Sequence, residues 1–154
     1  MVRVIMHGCN GRMGQVITEM IAKEAEMEIV AGVDVSDSVH NTYPVFKTLK
    51  DCDVEADVVI DFANAKAVDG LLDVCVERNL PCVLCTTGLS EEQLAHVKEA
   101  SGKVAILRSA NMSMGINLLM KLLKDAVPVL AAAGYDMELS LIHISEPTRP
   151  EPIS

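Results

Sequence analysis

Gly8, Gly11 and Gly14 recur at every third residue in His7-Gly8-Cys9-Asn10-Gly11-Arg12-Met13-Gly14, and an acid, Asp34, follows 20 residues after the last of them. This spacing suits the binding of a dinucleotide. Gly8 permits a sharp turn, Gly11 lets backbone N–H groups approach a pyrophosphate, and Gly14 permits close packing of the segments on either side. A carboxylate about 20 residues further on is placed for the hydroxyls of the adenosine ribose. Asp34 accepts hydrogen bonds from an unmodified ribose but repels a 2′-phosphate, and Val35 and Ser36 supply no cation beside it. NADH is therefore expected to bind more tightly than NADPH, with NADPH possible. Glycines alone also mark ordinary turns, so the surrounding elements decide between the readings.

Val2, Val4, Ile5 and Met6 read as a buried parallel strand, while Met13, Val16, Ile17, Met20 and Ile21 share one helical face. The glycines thus lie at a strand-to-helix junction, where the helix N-terminus offers partial positive charge to an anion. Asp34 closes a second apolar run containing Ile29, Val30, Ala31 and Val33. A loop over 36–44 leads to a weak segment at Val45 and Phe46, then to a strong strand over 57–62. Asn64 is placed to cap a helix whose apolar face is Val68, Leu71, Leu72, Cys75 and Val76. Pro81 introduces a strand over 82–85, and Thr86-Thr87-Gly88 forms the next loop. Ser90 and Gln93 spell a capping box for a helix reaching about Ala100. A strand over 104–107 and a loop over 109–115 precede an apolar helix with Leu118, Leu119, Leu122 and Leu123. Such alternation calls for right-handed crossovers and a parallel sheet covered on both faces, an α/β, doubly wound, Rossmann-type domain. Ligands of such sheets bind outside the carboxyl ends of the strands. The loops after Gly8, Asp34, Thr86 and Ser109 are therefore expected to meet on one crevice.

Composition bounds the alternatives. The 154 residues suffice for one ordinary domain, expected over 1–138 with a separate tail over 139–154. Half the residues are hydrophobic, but no apolar run approaches a membrane span. MVRVIMHG moves straight into a strand, so no signal peptide is expected. Thirteen Lys+Arg against 22 Asp+Glu give a formal charge of −9, which disfavours nucleic acid and leaves a small molecule as the expected ligand. The five cysteines are odd in number and scattered, as fits free thiols in a reducing cytoplasm. Cys82 and Cys85 form a CxxC, but on a strand they point to opposite faces, and no second Cys or His pair follows at metal spacing. No metal is expected. His7, His40, His96 and His143 are scattered, and none is singled out.

GCNGRMG, VIDFANAKAV, CTTGLS and SANMSMGIN, in that order, resemble the cofactor domain of the dihydrodipicolinate reductase family, over nearly everything from Val2 to about Glu138. Members are also called 4-hydroxy-tetrahydrodipicolinate reductases. The resemblance implies reduction of a cyclic dicarboxylate by NADH or NADPH on the diaminopimelate route to lysine. It further implies that Gly8, Cys9, Asn10, Gly11, Arg12 and Met13 hold the pyrophosphate and Asp34 the adenosine ribose. Cys85, Thr86 and Thr87 would line the nicotinamide side, with Ser109, Ala110, Asn111 and Met112. Hydroxyl and amide groups there suit a carboxamide and a ribose. The same residues could form a turn or cap the next helix instead. Cys85 stands where the family more often has Gly, and Ala63 where Thr or Ser often follows Asp-Phe. Asp61 reads as a cap for local N–H groups and not as a catalytic acid.

Past Glu138 the likeness stops. The family continues into a substrate domain with a His-His pair, a Lys and an Asp-x-Pro-Ser-Gly-Thr segment, which supplies the catalytic groups and most contacts of a homotetramer. Here the sequence reads LSLIHISEPTRPEPIS, with three prolines in its last eight residues. Residues 139–149 resemble a translated transposase adapter from sequencing libraries, so a foreign, disordered tail is expected. No catalytic residue is expected in this chain, which is read as binding cofactor without turnover. Two other classes remain open: another nicotinamide dehydrogenase of this fold, and a non-catalytic nucleotide-binding module.

Overall fold

The structure, a computed structural model, describes residues 1–109 and 111–138. In chain order the elements are β1 (Val2–His7), α1 (Arg12–Ile21), β2 (Met27–Val33), β3 (Val45–Phe46), β4 (Val58–Asp61), α2 (Val68–Glu77), β5 (Cys82–Leu84), α3 (Glu91–Ala100), β6 (Ile106–Arg108) and α4 (Met114–Ala132). The strands form one six-stranded sheet in the order β3-β2-β1-β4-β5-β6. Every neighbouring pair is parallel. The chain runs outward from β1 through β2 to β3, then returns to β4 on the other side of β1. That reversal creates a crevice at the carboxyl ends of β1 and β4, where doubly wound sheets bind ligands. The α/β Rossmann-type expectation holds.

The chain divides into two units, Met1–Ala110 and Asn111–Ser154. The sheet and α1 to α3 belong to the first, and α4 to the second. Within the first unit, Ile5, Val33, Val59 and Leu84 pack with Leu71, Leu72 and Cys75 of α2 and with Val97 and Ala100 of α3. Each fully buried leucine stabilises this layer by about 2 kcal/mol. Val4 and Met6 have the opposite parity on β1 and are also fully buried, so both faces of the central strand are covered. At the other end of the strands, the Arg3 guanidinium donates to the Asp57 carboxylate (3.0 Å), and the Arg3 N–H donates to the same group (2.8 Å). These bonds tie the starts of β1 and β4 together.

Several elements differ in detail from the sequence reading. α1 buries Gly14 and Ile21, seven residues apart on one side of the helix. The close approach of Gly14 to the preceding loop turns the helix, leaving Val16 38% and Met20 61% exposed although they belong to the apolar face. Asn64 caps a 3-10 turn, Ala65–Ala67, which then leads into α2. β5 stops at Leu84, and β6 starts two residues later than expected because Cys82 pairs with Ile106 and Leu84 with Arg108. The Ser90–Gln93 capping box forms as read. α4 starts behind a Ser113 cap, and none of its residues is buried.

Candidate dinucleotide site

The turn out of β1 is built on two glycines that tolerate no side chain. Gly8 has φ +82°, and a Cβ there would lie 2.8 Å from the Phe62 carbonyl oxygen, so both backbone strain and contact exclude larger residues. A Cβ on Gly14 would come within 2.2 Å of the Gly8 carbonyl oxygen. The first turn of α1 is therefore pressed against the loop, and Gly11 is its N-cap with no side chain satisfying the helix end. The leading N–H groups of a helix have no intrahelical partner. Gly11, having no side chain, supplies them no capping oxygen, and such a helix end is the kind of position that phosphates occupy.

Not every N–H of the loop is available for that purpose. The N–H groups of Gly8 and Cys9 donate to the Val33 carbonyl, and that of Gly11 to the Gly8 carbonyl. The Asn10 N–H donates to the Asp34 carboxylate at 2.9 Å. The other oxygen of Asp34 accepts from the Ser36 N–H at 2.8 Å. Asp34 is thus fixed between the glycine loop and the turn after β2, held by backbone donors that leave further lone pairs for a ligand. The Asn10 side chain donates to the Ser36 carbonyl and accepts from Asn41. Cys9 is fully buried with its sulfur against Gly32, so its side chain is withdrawn into the packing between the loop and β2. Burial pushes its thiol up to about 11, and the Asp34 charge adds to the shift.

A cavity of about 700 Å³ opens beside this loop, lined among others by Gly8, Gly11, Asp34, Lys47, Asn64 and Gly70. Its size suits a small-molecule site. The fit to a dinucleotide rests on three observations: a helix end whose N-cap is a glycine, a carboxylate held beside the loop, and a cavity that both line.

On the other side of β1 the structure assembles groups that the sequence did not bring together. His7 Nδ1 lies 2.6 Å from Asp61 Oδ1, and both side chains are buried. The pairing follows from the register, which sets His7 opposite Asp61 at the ends of β1 and β4. Asp61 also accepts from the Ala63 N–H at 3.2 Å, the local capping role read from its position. His7 lines the cavity. The only sequence signal for it was its place at the end of the first strand. Cys85 and Thr86 follow β5 and are buried, whereas Thr87 is exposed. The Cys85 N–H donates to the Asp61 carbonyl and the Ser109 N–H to that of Leu84, so these residues share the carboxyl edge of the sheet with Gly8 and Asp34. Among the described residues, Thr86 Oγ1 and Asp61 Oδ2 are buried without a hydrogen-bond partner. Burial raises the Cys85 thiol to about 11, with Asp61 contributing.

Ala110 lies outside the described residues, as do His143 and the 139–154 tail. Asn111 and Met112 belong to the second unit, where the Asn111 side chain accepts from the Ser113 N–H at 2.8 Å. All five cysteines are free and buried. Among the described residues no cluster of His, Cys, Asp and Glu could hold a metal, and no helix is long and apolar enough to cross a membrane.

The likeness to known proteins is specific. A family model described as dihydrodipicolinate reductase, N-terminus, matches residues 2–112. A 4-hydroxy-tetrahydrodipicolinate reductase of Caldanaerobacter subterraneus subsp. tengcongensis is 48% identical over 139 residues, covering 90% of this chain and 54% of the relative. One of Clostridium novyi is 44% identical over 139 residues, again 90% of this chain and 55% of the relative. The chain thus spans about half the length of the curated relatives it matches. Among solved structures, a dipicolinate-bound dihydrodipicolinate reductase from Paenisporosarcina sp. TG-14 superposes with a TM-score of 0.73 at 27% identity, covering 82% of this chain and 54% of that one. A WlbA dehydrogenase from Chromobacterium violaceum, in complex with NADH and UDP-GlcNAcA, reaches 0.67 at 18% identity over 84% and 40% of the two chains, a likeness of fold alone. With the glycine loop, the fixed Asp34 and the six-stranded parallel sheet in place, the chain belongs to the dihydrodipicolinate reductase family and carries its N-terminal, dinucleotide-binding domain.

Proposed function

We propose that these residues hold NADH or NADPH for reduction of 4-hydroxy-tetrahydrodipicolinate, a step toward lysine carried out in the cytoplasm. The observation that carries this reading is the glycine-capped N-terminus of α1 beside a carboxylate fixed by backbone donors, Asp34, in a chain of this family. In this assignment the loop of Gly8, Cys9, Asn10, Gly11, Arg12 and Met13 holds the pyrophosphate by shaping the close approach, and the first turn of α1 supplies the helix-end dipole and backbone N–H groups. Asp34 accepts from the adenosine ribose hydroxyls. Cys85, Thr86 and Thr87, with Ser109, are assigned to the nicotinamide side, and the unpartnered Thr86 hydroxyl is suited to the carboxamide; Ala110, Asn111 and Met112 are assigned to the cofactor on family likeness alone. The nicotinamide supplies the hydride. The chain's own part is to bind and orient it, which lowers the entropic part of the barrier. Asp34 favours NADH over NADPH, because its charge repels a 2′-phosphate.

Cofactor binding is assigned to 1–138, with no role for 139–154. Turnover and a homotetramer are assigned to the longer protein typified by the relatives. Calorimetric titration with NADH tests the core of this reading. A valine at Gly11 would put its side chain at the helix end, and Gly11→Val should weaken binding more than tenfold, or over ~1.4 kcal/mol. Equal affinity of the two folded proteins would overturn the assignment of the loop.

A further inference from the structure

The turn after β2 contains no basic residue, yet the fold brings one beside Asp34 from another strand. β3 pairs with the end of β2 through Gly32 with Val45 and Val33 with Phe46, and the Asp34 N–H donates to the Phe46 carbonyl at 2.9 Å. The next residue, Lys47, therefore runs alongside Asp34 at the spacing of neighbouring strands, about 4.8 Å between backbones. Its ammonium folds back over the turn, donating to the Val35 carbonyl at 3.1 Å and to the Asp37 carboxylate at 2.5 Å. Lys47 and Asp34 line the same cavity.

We infer that Lys47 is the cation that admits a 2′-phosphate at this site and that Asp37 withholds it, so that the Lys47–Asp37 pair sets the balance between NADPH and NADH. This rests on the reading of the cleft as a dinucleotide site and adds to it the device that sets its selectivity. A 2′-phosphate would stand on the ribose hydroxyl nearest Asp34, where it needs a counter-charge. Lys47 is the ammonium held over that turn, and its side chain is long enough to swing from Asp37 to the ribose. The competition is realistic on charge grounds. Asp37 offers one negative charge and its side chain is 79% exposed, so its hold on Lys47 is screened and weak. A phosphate monoester carries a charge of about −1.5 to −2 and three acceptor oxygens. With Asp37 in place the ammonium is partly neutralised before the cofactor arrives, and the unphosphorylated ribose is favoured.

The decisive quantity is the ratio of the Kd values for NADPH and NADH, measured by titration of the full chain at low ionic strength. Lys47→Ala should raise that ratio about tenfold by removing a charge-assisted contact to the phosphate. Asp37→Ala should lower it by about threefold or more by releasing the ammonium, and the double variant should resemble Lys47→Ala. Both shifts should shrink at high salt. Lys66→Ala serves as the comparison, because Lys66 lines the cavity from the connection before α2 and should leave the ratio nearly unmoved. A ratio unchanged in Lys47→Ala, or moved equally by Lys66→Ala, overturns the inference while NADH binding preserves the dinucleotide reading. If neither dinucleotide binds the unaltered chain, the dinucleotide reading fails and the inference falls with it.

Discussion

Gly14 and Gly70 both sit inside helices, yet their surroundings give them opposite consequences. A methyl group on Gly14 would meet the Gly8 carbonyl at 2.2 Å and the Cys9 Cα at 2.7 Å, whereas nothing lies within 4 Å of one on Gly70. Backbone cannot move aside as a flexible side chain can, so Gly14→Ala should cost about 3 kcal/mol of stability, the upper range for overpacking. Gly70→Ala should instead gain up to about 1 kcal/mol, because alanine loses less backbone entropy in a helix. Urea denaturation would check the pair: the midpoint should fall for one variant and rise for the other at unchanged slope. Midpoints moving in the same direction would show that the crowding at Gly14 is not what fixes the loop. The importance of Gly14 was legible in its spacing from Gly8. The buried His7–Asp61 contact was not, because it joins residues 54 positions apart and exists only once the register of β1 on β4 is known.

The alternation of strands and helices and the start of α3 were readable for a physical reason: local signals such as the Ser90–Gln93 box and runs of apolar residues act over a few residues. What covers each face is a tertiary matter. The sequence marked Val16 and Met20 as part of an apolar face, but could not reveal that Gly14 would rotate α1 away from them. The same limit hid Lys47, since a two-residue strand has almost no periodicity, yet its pairing carries a cation to Asp34. The packing of α3 on α2 adds a contact of this kind. His96 of α3 reaches back to Asp69 at 2.9 Å and Asp73 at 3.4 Å on α2. The bonds from His96 and Gln93 hold the Asp69 carboxyl below its usual range. A lowered folded-state value means stability that is present above the unfolded carboxyl value of about 3.9 and lost as pH falls through the folded one. His96→Ala should therefore destabilise the domain at pH 5 by only a few tenths of a kcal/mol, since the pair is exposed and screened. The difference from the unaltered protein should shrink as the pH is lowered from 4 toward 3. A gap that stays constant or widens over that interval in urea melts would remove Asp69 as its cause.

At the scale of the whole molecule, the residues aligned with the relatives amount to about half of each relative's length, 54% in one case and 55% in another. In the proposed reading the cleft binds and orients a dinucleotide, but hydride transfer also needs an acceptor held close to the nicotinamide and a proton donor within hydrogen-bond reach of the product. Among the described residues, the buried titratable side chains at the carboxyl edge of the sheet are His7, Asp61 and the thiols of Cys9 and Cys85. Both thiols are raised to about 11, so neither is poised to donate a proton near neutral pH, and the His7 ring is held through Nδ1 by Asp61. These 154 residues should therefore bind NADH without reducing 4-hydroxy-tetrahydrodipicolinate at an appreciable rate. A chain in which the region that the relatives carry beyond the aligned part is joined after Glu138 should turn over. Loss of NADH absorbance with freshly generated substrate measures both. Comparable rates from the two chains would mean that the acceptor site and its proton donor lie within these residues, and would move the catalytic assignment to the His7–Asp61 pair, the buried acid–base couple of the cleft.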